Sequence, residues 1–471
     1  MENFDYAIIG QGSAAFSAAI KANELGIKTV MIGKNETEGA LLGGTCVNVG
    51  CVPSKRIITV ARFVKELKEK KFDGIGYDIG SIEYEKIVEQ KDAVTKQLRE
   101  LKYEKVLAVL ENVSFINEFG RFSSENTIIA GKKQISAKRV LIATGARANI
   151  PDIPGIDKVK YLDNESALSL RKLPESMIVV GGRAQGLEFA QMFSMLGTKV
   201  TLLQRSETIL PTWEPIIATY LEKYLKNDGI NLLTNASIAK LSESSGKVTA
   251  EIKTANGIST IEAEKILFAT GRRPNIEKLN LGSANVKTNE GGFVSINDHM
   301  QTSNEHVYAA GDVTGSPMLE TLAAKEGNIA TVNAFGKDSR TIKIEEIPNA
   351  VFTEPEAAMV GKTESQVIKE LNNCGCNALP VSMVAKASII SNTKGVIKVV
   401  INPETHEILG VHMLAHGAAD LIHEGVLAVK FHMKLEDIID TVHVFPTMSE
   451  GFKLACQSFF TDISKQSCCT I

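Results

Sequence analysis

The chain has 471 residues, 52 basic and 55 acidic, for a formal net charge of −3. That length suggests two to four domains, and the near-balance of charge argues against a role dominated by nucleic acid or an anionic membrane surface. No apolar run is long enough to span a bilayer. The seven cysteines lack the dense, even spacing of a disulfide scaffold, and the acidic start "MENFDYAIIG" has no secretory-leader features, so a reducing, cytoplasmic setting is expected.

In chain order, "DYAIIG" reads as a strand, "SAAFSAAIKANELG" as a helix closed by Gly26, and "KTVMI" as the next strand. Between the first two stands Gly10-x-Gly12-x-x-Ala15. Gly10 permits a tight turn, Gly12 lets backbone approach a pyrophosphate, and Ala14 and Ala15 sit where a small residue allows close packing at a helix N-terminus. The acidic residue that usually grips a ribose after the second strand is replaced by Gly33, leaving Glu36 or Glu38 as candidates. "GGTCVNVGCVPSK" follows. Here Thr45, Cys46 and Cys51 lie at a glycine loop entering a helix, where dipole and free N–H groups favour a thiolate. Lys55, one turn on, adds a positive charge. No second cysteine or histidine pair stands nearby at zinc-ligand spacing.

A charged amphipathic helix is expected at about residues 85–111 and short strands around "NTIIAGKKQIS". The strand–turn–helix–strand pattern then returns over 177–203, with Gly181-Gly182-Arg183-Ala184-Gln185-Gly186 at its turn. Two such units imply two parallel-sheet nucleotide-binding domains. The second one ends "LLQRS", placing Gln204 where a carboxylate would select NADH and Arg205 where a 2′-phosphate would be held, so NADPH is favoured. From residue 346 the pattern becomes α+β, with "GVIKVVINPETHEILGVHML" as two antiparallel strands and "GAADLIHEGVLAVKFHM" as a helix.

Together these stretches resemble the pyridine nucleotide–disulfide oxidoreductases. The likeness covers essentially the whole chain and includes "LIATGAR" (Ala143, Thr144, Gly145), "LFATGRRPN" (Gly271) and "VYAAGDVTG" (Gly311, Asp312). It implies an α/β fold of two Rossmann-like domains and a C-terminal α+β interface domain that pairs two copies. The expected boundaries are 1–149 with 272–344 for FAD, 150–271 for NADPH, and 345–471 for the interface domain. By the same likeness Asp312 meets the ribityl and phosphate region of FAD, and the backbone at Leu319 and Glu320 approaches the flavin pyrimidine edge. Lys55 and Glu188 match an ion pair beside the flavin, Cys51 the flavin-facing thiolate, and Cys46 the exchanging sulfur.

Family members that act on disulfides are similar in carrying a histidine directly before a C-terminal proline. Here "HVFPTMSEG" puts Phe445 before Pro446, with His443 two residues early. Thr447-x-x-Glu450 then reads as a capping box. The chain ends "SKQSCCTI", and adjacent thiols such as Cys468 and Cys469 suit a soft metal ion. Loss of the base with gain of a terminal cysteine pair resembles the mercury-reducing branch of the family. That branch implies Hg²⁺ taken from cellular thiols by a mobile tail, passed to Cys46 and Cys51 of the neighbouring subunit in a homodimer, and reduced to Hg⁰. Two alternatives are a disulfide reductase of the dihydrolipoyl dehydrogenase type and a flavoprotein that only sequesters metal. The extra N-terminal metal-binding domain of many mercury-reducing members is not expected here, and Ala184 stands where a family tyrosine gates the nicotinamide. Cys374 and Cys376 read as incidental more readily than as a thiol trap, Cys456 as a core residue, and His416 and His423 as interface or surface residues.

Overall fold

Strand Glu2–Ile9 runs parallel to Thr29–Ile32 on one side, with Tyr6 opposite Thr29, and to Lys133–Ile142 on the other, with Tyr6 opposite Arg139. Such strands carry helices on their faces and bury near-continuous apolar runs, and Tyr6 to Ile9 are fully or nearly fully buried. Helix Ser13–Glu24 returns between them and ends before Gly26, whose φ of +68° lets the chain turn back. The structure is a computed structural model and describes all residues except 35–41, 70, 71, 73, 77–79, 337 and 468–471. Among the described residues, this first sheet has seven strands, including the hairpin Thr127–Ala130 and Lys133–Ile142 and the late strand Val307–Ala309. That late strand adds to the sheet only after the second nucleotide-binding unit has intervened.

The expected charged helix is present in three pieces. An α-helix spans Tyr84–Arg99, a wider π turn spans Glu100–Glu104, and a last α turn ends at Ala108. The second unit is a four-stranded parallel sheet in which Ser176–Val180 lies between Lys199–Leu203 and Lys265–Phe268. Its helix Ala184–Leu196 is buried nearly all round and ends at Gly197 with φ +113°. It packs against helix Cys51–Glu69, with Phe193 wholly buried between the layers. Truncating such a side chain costs about 3–5 kcal/mol. A short antiparallel pairing of Ala146–Ala148 with Arg272–Pro274 ties the outgoing and returning connections together.

The last region is a five-stranded antiparallel sheet. Val396–Ile401 and Ile408–Ala415 pair as the sequence predicts, and helix Ala418–Lys430 packs on Ile408–Ala415 and on its other neighbour, Glu356–Gly361. Cys456 is fully buried in this core, as expected. The proposed capping box forms only in half. Glu450 Oε2 accepts from Thr447 N at 3.2 Å, but the Thr447 hydroxyl donates to Val444 O, and helix Glu450–Gln457 is entered through Ser449.

Candidate active site

One cleft of about 1780 Å³ runs between the sheets. That is well above the roughly 300–1,000 Å³ of a site for one small ligand, and suits extended dinucleotides. At one end the glycine turn after the first strand forms a close-packed floor. Gly10 (φ +147°) lies so near Ala143 that a Cβ would come within 2.1 Å of Ala143 O, and a Cβ on Gly44 would come within 2.8 Å of Gly12 Cα. Only glycines permit this approach, and it leaves helix Ser13–Glu24 aimed N-terminus first into the cleft. Ala14 lines the wall while Ala15 is wholly buried behind it. Gly145 (φ +67°) continues the floor, held by the Thr144 hydroxyl donating to Asn275 O at 2.8 Å. Gly33 has a local reason to be glycine: a Cβ there would meet the Gln11 side chain at 2.9 Å. Glu36 and Glu38 lie outside the described residues. The carboxylate that does line this end is Glu118, paired with Lys34 Nζ at 3.2 Å.

Cys46 and Cys51 face the middle of the cleft from consecutive helices, Gly44–Val49 and Cys51–Glu69, with Thr45 beside Cys46. Two left-handed glycines, Gly43 and Gly44, start the first helix, and Pro53 is accommodated in the first turn of the second, where its missing N–H costs nothing. The sulfurs are polarised. A hydrogen bond from Cys46 is the largest cause lowering Cys51, with the Lys55 charge adding to it and burial opposing. The same bond and burial hold Cys46 well above the ordinary thiol range. Cys51 is open to the cleft, though protein surrounds it on its other sides. Lys55 Nζ is 2.7 Å from Glu188 Oε2 and 4.5 Å from the Phe352 ring centroid, and Glu188 Oε1 accepts from Phe352 N at 3.0 Å. Lys55, Glu188 and Glu320 are charged groups that act on the sulfurs.

Opposite, Gly311 (φ +77°) precedes Asp312, and Leu319 caps helix Glu320–Phe335, whose first turn opens onto the cleft. Burial raises Asp312 above the usual carboxylate range, with Arg272 pulling it back. Arg272 Nε is 3.5 Å from Asp312, and its Nη2 reaches Ala146 O and Thr45. Sequence reasoning passed over Arg272, although it directly follows the noted Gly271. It also missed Glu326, a buried carboxylate that accepts from Gly311 N at 2.6 Å.

At the second glycine turn, Gly181 (φ +119°) lies against Ala269 O, and a Cβ on Gly186 would come within 1.8 Å of Gly181 O. Arg183 is exposed on the cleft wall with Ala184 beside it. Gln204 turns inward: its Oε1 accepts from Gly182 N at 2.8 Å and its amide donates to Ser206 and Thr208 O. It braces the loop, and Arg205 is the exposed cation at this strand end. His443 is held by Glu424 at 2.7 Å, while Phe445 is exposed. His416 pairs with Glu354 at 3.7 Å, and His423 lies on the cleft wall. Cys468 and Cys469 lie outside the described residues.

Residues 4–327 match the pyridine nucleotide-disulphide oxidoreductase family, and residues 347–456 match its dimerisation domain. The chain belongs to this family. It is similar to the mercuric reductase of Staphylococcus aureus (41% identity, covering 99% of this chain and 84% of that one). The mercuric reductase of Lysinibacillus sphaericus is 40% identical over 99% and 85% of the two chains. Among solved structures, the HOCl-induced flavoprotein disulfide reductase RclA from Escherichia coli aligns with TM-score 0.86 and 25% identity over 96% and 99%. As a pyridine nucleotide–disulphide oxidoreductase the protein is an enzyme that uses FAD and NADPH. Its two glycine-floored ends fit the pyrophosphates of those cofactors, since each admits backbone where a Cβ would collide. The dimerisation domain assigns residues 347–456 to the pairing of two copies. Among the described residues, no helix is long and apolar enough to cross a membrane.

Proposed function

We propose that this oxidoreductase is a mercury(II) reductase, which takes thiol-bound Hg²⁺ through Cys468 and Cys469, passes it to Cys46 and Cys51, and releases Hg⁰ at the expense of NADPH. The observation that carries this reading is a polarised pair of cleft sulfurs in a chain that places Phe445 before Pro446, with His443 engaged by Glu424. Thiol–disulfide exchange needs a group to move protons. Transfer of a soft ion between thiolates does not. The full-length likeness to mercuric reductases supports the same substrate.

The residues divide the work as follows. Cys51, whose thiolate is favoured by the Cys46 bond and the Lys55 charge, attacks the ion and displaces one tail thiolate, which takes the Cys46 proton. Cys46, now deprotonated, displaces the second. Lys55, oriented by Glu188 and the Phe352 ring, places its side-chain nitrogen beside the sulfur pair. Gly10, Gly12, Ala14 and Ala15 would hold the FAD pyrophosphate, with Thr45, Ala143, Thr144, Gly145, Gly271 and Gly311 shaping the isoalloxazine side. Asp312 would meet the ribityl chain, and the backbone of Leu319 and Glu320 the pyrimidine edge. Gly181, Arg183 and Gly186 would hold the NADPH pyrophosphate and Arg205 its 2′-phosphate, with Gln204 bracing the loop. Bound FAD supplies a two-electron path from NADPH, so that Hg²⁺ leaves as Hg⁰ while NADPH becomes NADP⁺ and a proton. The boundaries 1–149 with 272–344, 150–271 and 345–471 describe the domains that carry these parts. In the dimer each tail serves its partner's sulfur pair.

The test is NADPH oxidation in excess thiol with Hg²⁺, lipoamide or glutathione disulfide as acceptor. Rapid turnover with Hg²⁺ and Hg⁰ release is expected, with little on either disulfide. Preference for a disulfide would replace this reading with a disulfide reductase, and NADPH-reducible flavin without Hg⁰ release would replace it with a metal-sequestering flavoprotein.

A further inference from the structure

Two thiols stand far from any role in this chemistry. Strand Gly375–Pro380 is the outer strand of the five-stranded sheet, with Cys376 opposite Val400 and Ala378 opposite Lys398. Residues two apart on an extended chain point to one face, which places Cys376 and Cys374, one residue before the strand, on a shared side of this edge, where Cys374 Sγ donates to Gly375 O at 3.4 Å. Cys376 is exposed and Cys374 half-buried, so core packing does not account for the pair. Neither lines the redox cleft. Lys398 shares that face, its Nζ bridging Glu214 Oε2 at 2.7 Å and Glu364 Oε2 at 2.5 Å. Glu364 in turn accepts from Cys376.

Same-face residues of a strand are roughly 6.6 Å apart at Cα. Thiols leaning toward each other from that spacing can reach the roughly 4.6 Å that two metal–sulfur bonds of about 2.3 Å span on either side of a linear ion. Among the described residues no group of three or more histidine, cysteine, aspartate or glutamate side chains could hold a metal. The soft donors here are the two sulfurs, which suit an ion content with two-coordinate thiolate binding.

We propose that Cys374 and Cys376 form a second soft-metal site, separate from the redox cleft, which holds one two-coordinate thiophilic ion such as Hg²⁺ between two thiolates. Loading from a carrier is pure exchange. Two carrier–mercury bonds break, two protein sulfur–mercury bonds form, each protein thiol proton ends on a departing carrier thiol, and no electrons move. The proposal does not rest on mercury reduction, because its test reads binding alone.

The test uses the full-length FAD-loaded dimer carrying Cys46→Ala, Cys51→Ala, Cys468→Ala and Cys469→Ala, reduced and desalted without oxygen. HgCl₂ is added with two equivalents of glutathione, and mercury retained through gel filtration is counted. One ion per protomer is expected, falling at least tenfold when either Cys374→Ser or Cys376→Ser is added. No retention in the fourfold variant, or retention unchanged by both serines, overturns the site. In the otherwise unmodified chain, Hg²⁺ should also shield the peptide bearing Cys374 and Cys376 from iodoacetamide at least tenfold. Undiminished labelling there overturns the proposal regardless of how the variants fold.

Discussion

Lys55→Gln and Glu188→Gln should move the Cys51 thiolate in opposite directions. Lys55 lies one turn beyond Cys51 on the same helix face, where Cβ atoms are roughly 6 Å apart. A unit charge at that distance, with an effective dielectric constant of about 20, is worth roughly 3 kcal/mol. Glu188, 2.7 Å from the ammonium, cancels much of this, leaving about 1–1.5 kcal/mol, or about one pKa unit. Lys55→Gln should therefore raise the Cys51 titration by about two units, since the full stabilisation from the cation is lost and Glu188 is left to oppose the thiolate. Glu188→Gln should lower it by about one unit, because the lost anion no longer offsets Lys55. The assay is the long-wavelength thiolate-to-flavin absorbance of the two-electron-reduced enzyme, followed against pH. Cys51→Ala, which should abolish the band, and Cys46→Ala, which should retain it, assign the signal. A midpoint unmoved in Lys55→Gln, or shifted the same way in both variants, would refute this electrostatic account.

Arg205→Glu should weaken NADPH use at least tenfold more than NADH use in steady-state assays, and equal losses would remove Arg205 from 2′-phosphate recognition. Replacing Cys468 and Cys469 with alanine should leave FAD content and NADPH-to-flavin reduction intact while cutting turnover of glutathione-bound Hg²⁺ at least tenfold. The defect should shrink with HgBr₂, and normal turnover of the thiol-bound ion would defeat the entry role. Burial opposes ionisation of Glu354, but bonds from His416 and Asn392 and the Arg62 charge bring it down to about 2. Its folded value lies below the unfolded one, so it contributes stability above about pH 4.5 that is lost as pH falls toward 2, on the order of 3 kcal/mol. Denaturant unfolding of Glu354→Gln should accordingly lose less stability than the parent between pH 5 and pH 3.

The glycine turns, the two sulfurs and the end of the first helix were legible because each rests on local chemistry: a positive φ at Gly26, a crowded floor at Gly10, a thiol at a helix start. Arg272 and Glu326 were not. Their partners, Asp312 and the N–H of Gly311, are reached only when the last strand of the first sheet returns after the second unit. Gln204 was noticed for its position at a strand end, but sequence could not show that its amide would fold back onto Gly182. Gly33 reads as a missing ribose ligand in sequence and as room for Gln11 in three dimensions. The half-formed Thr447–Glu450 cap reflects orientation: the threonine hydroxyl turns back to donate to Val444 O, and the helix is entered through Ser449 instead.

Helix Cys51–Glu69 begins at the redox sulfur and then grips both other regions of the molecule. Lys55 holds Glu188, Lys65 holds Asp228 at 2.5 Å, and Arg62 bonds Glu356 at 2.7 Å and Thr353 O at 2.9 Å. The three parts are therefore poor cassettes for recombination. A nicotinamide-binding segment grafted from a relative would have to bring its own Glu188 and Asp228 equivalents, and an exchanged interface segment its Glu356. A chimera lacking them would strand cations along the one rod that carries Cys51, so inheritance of this site is bound to inheritance of the chain as a whole.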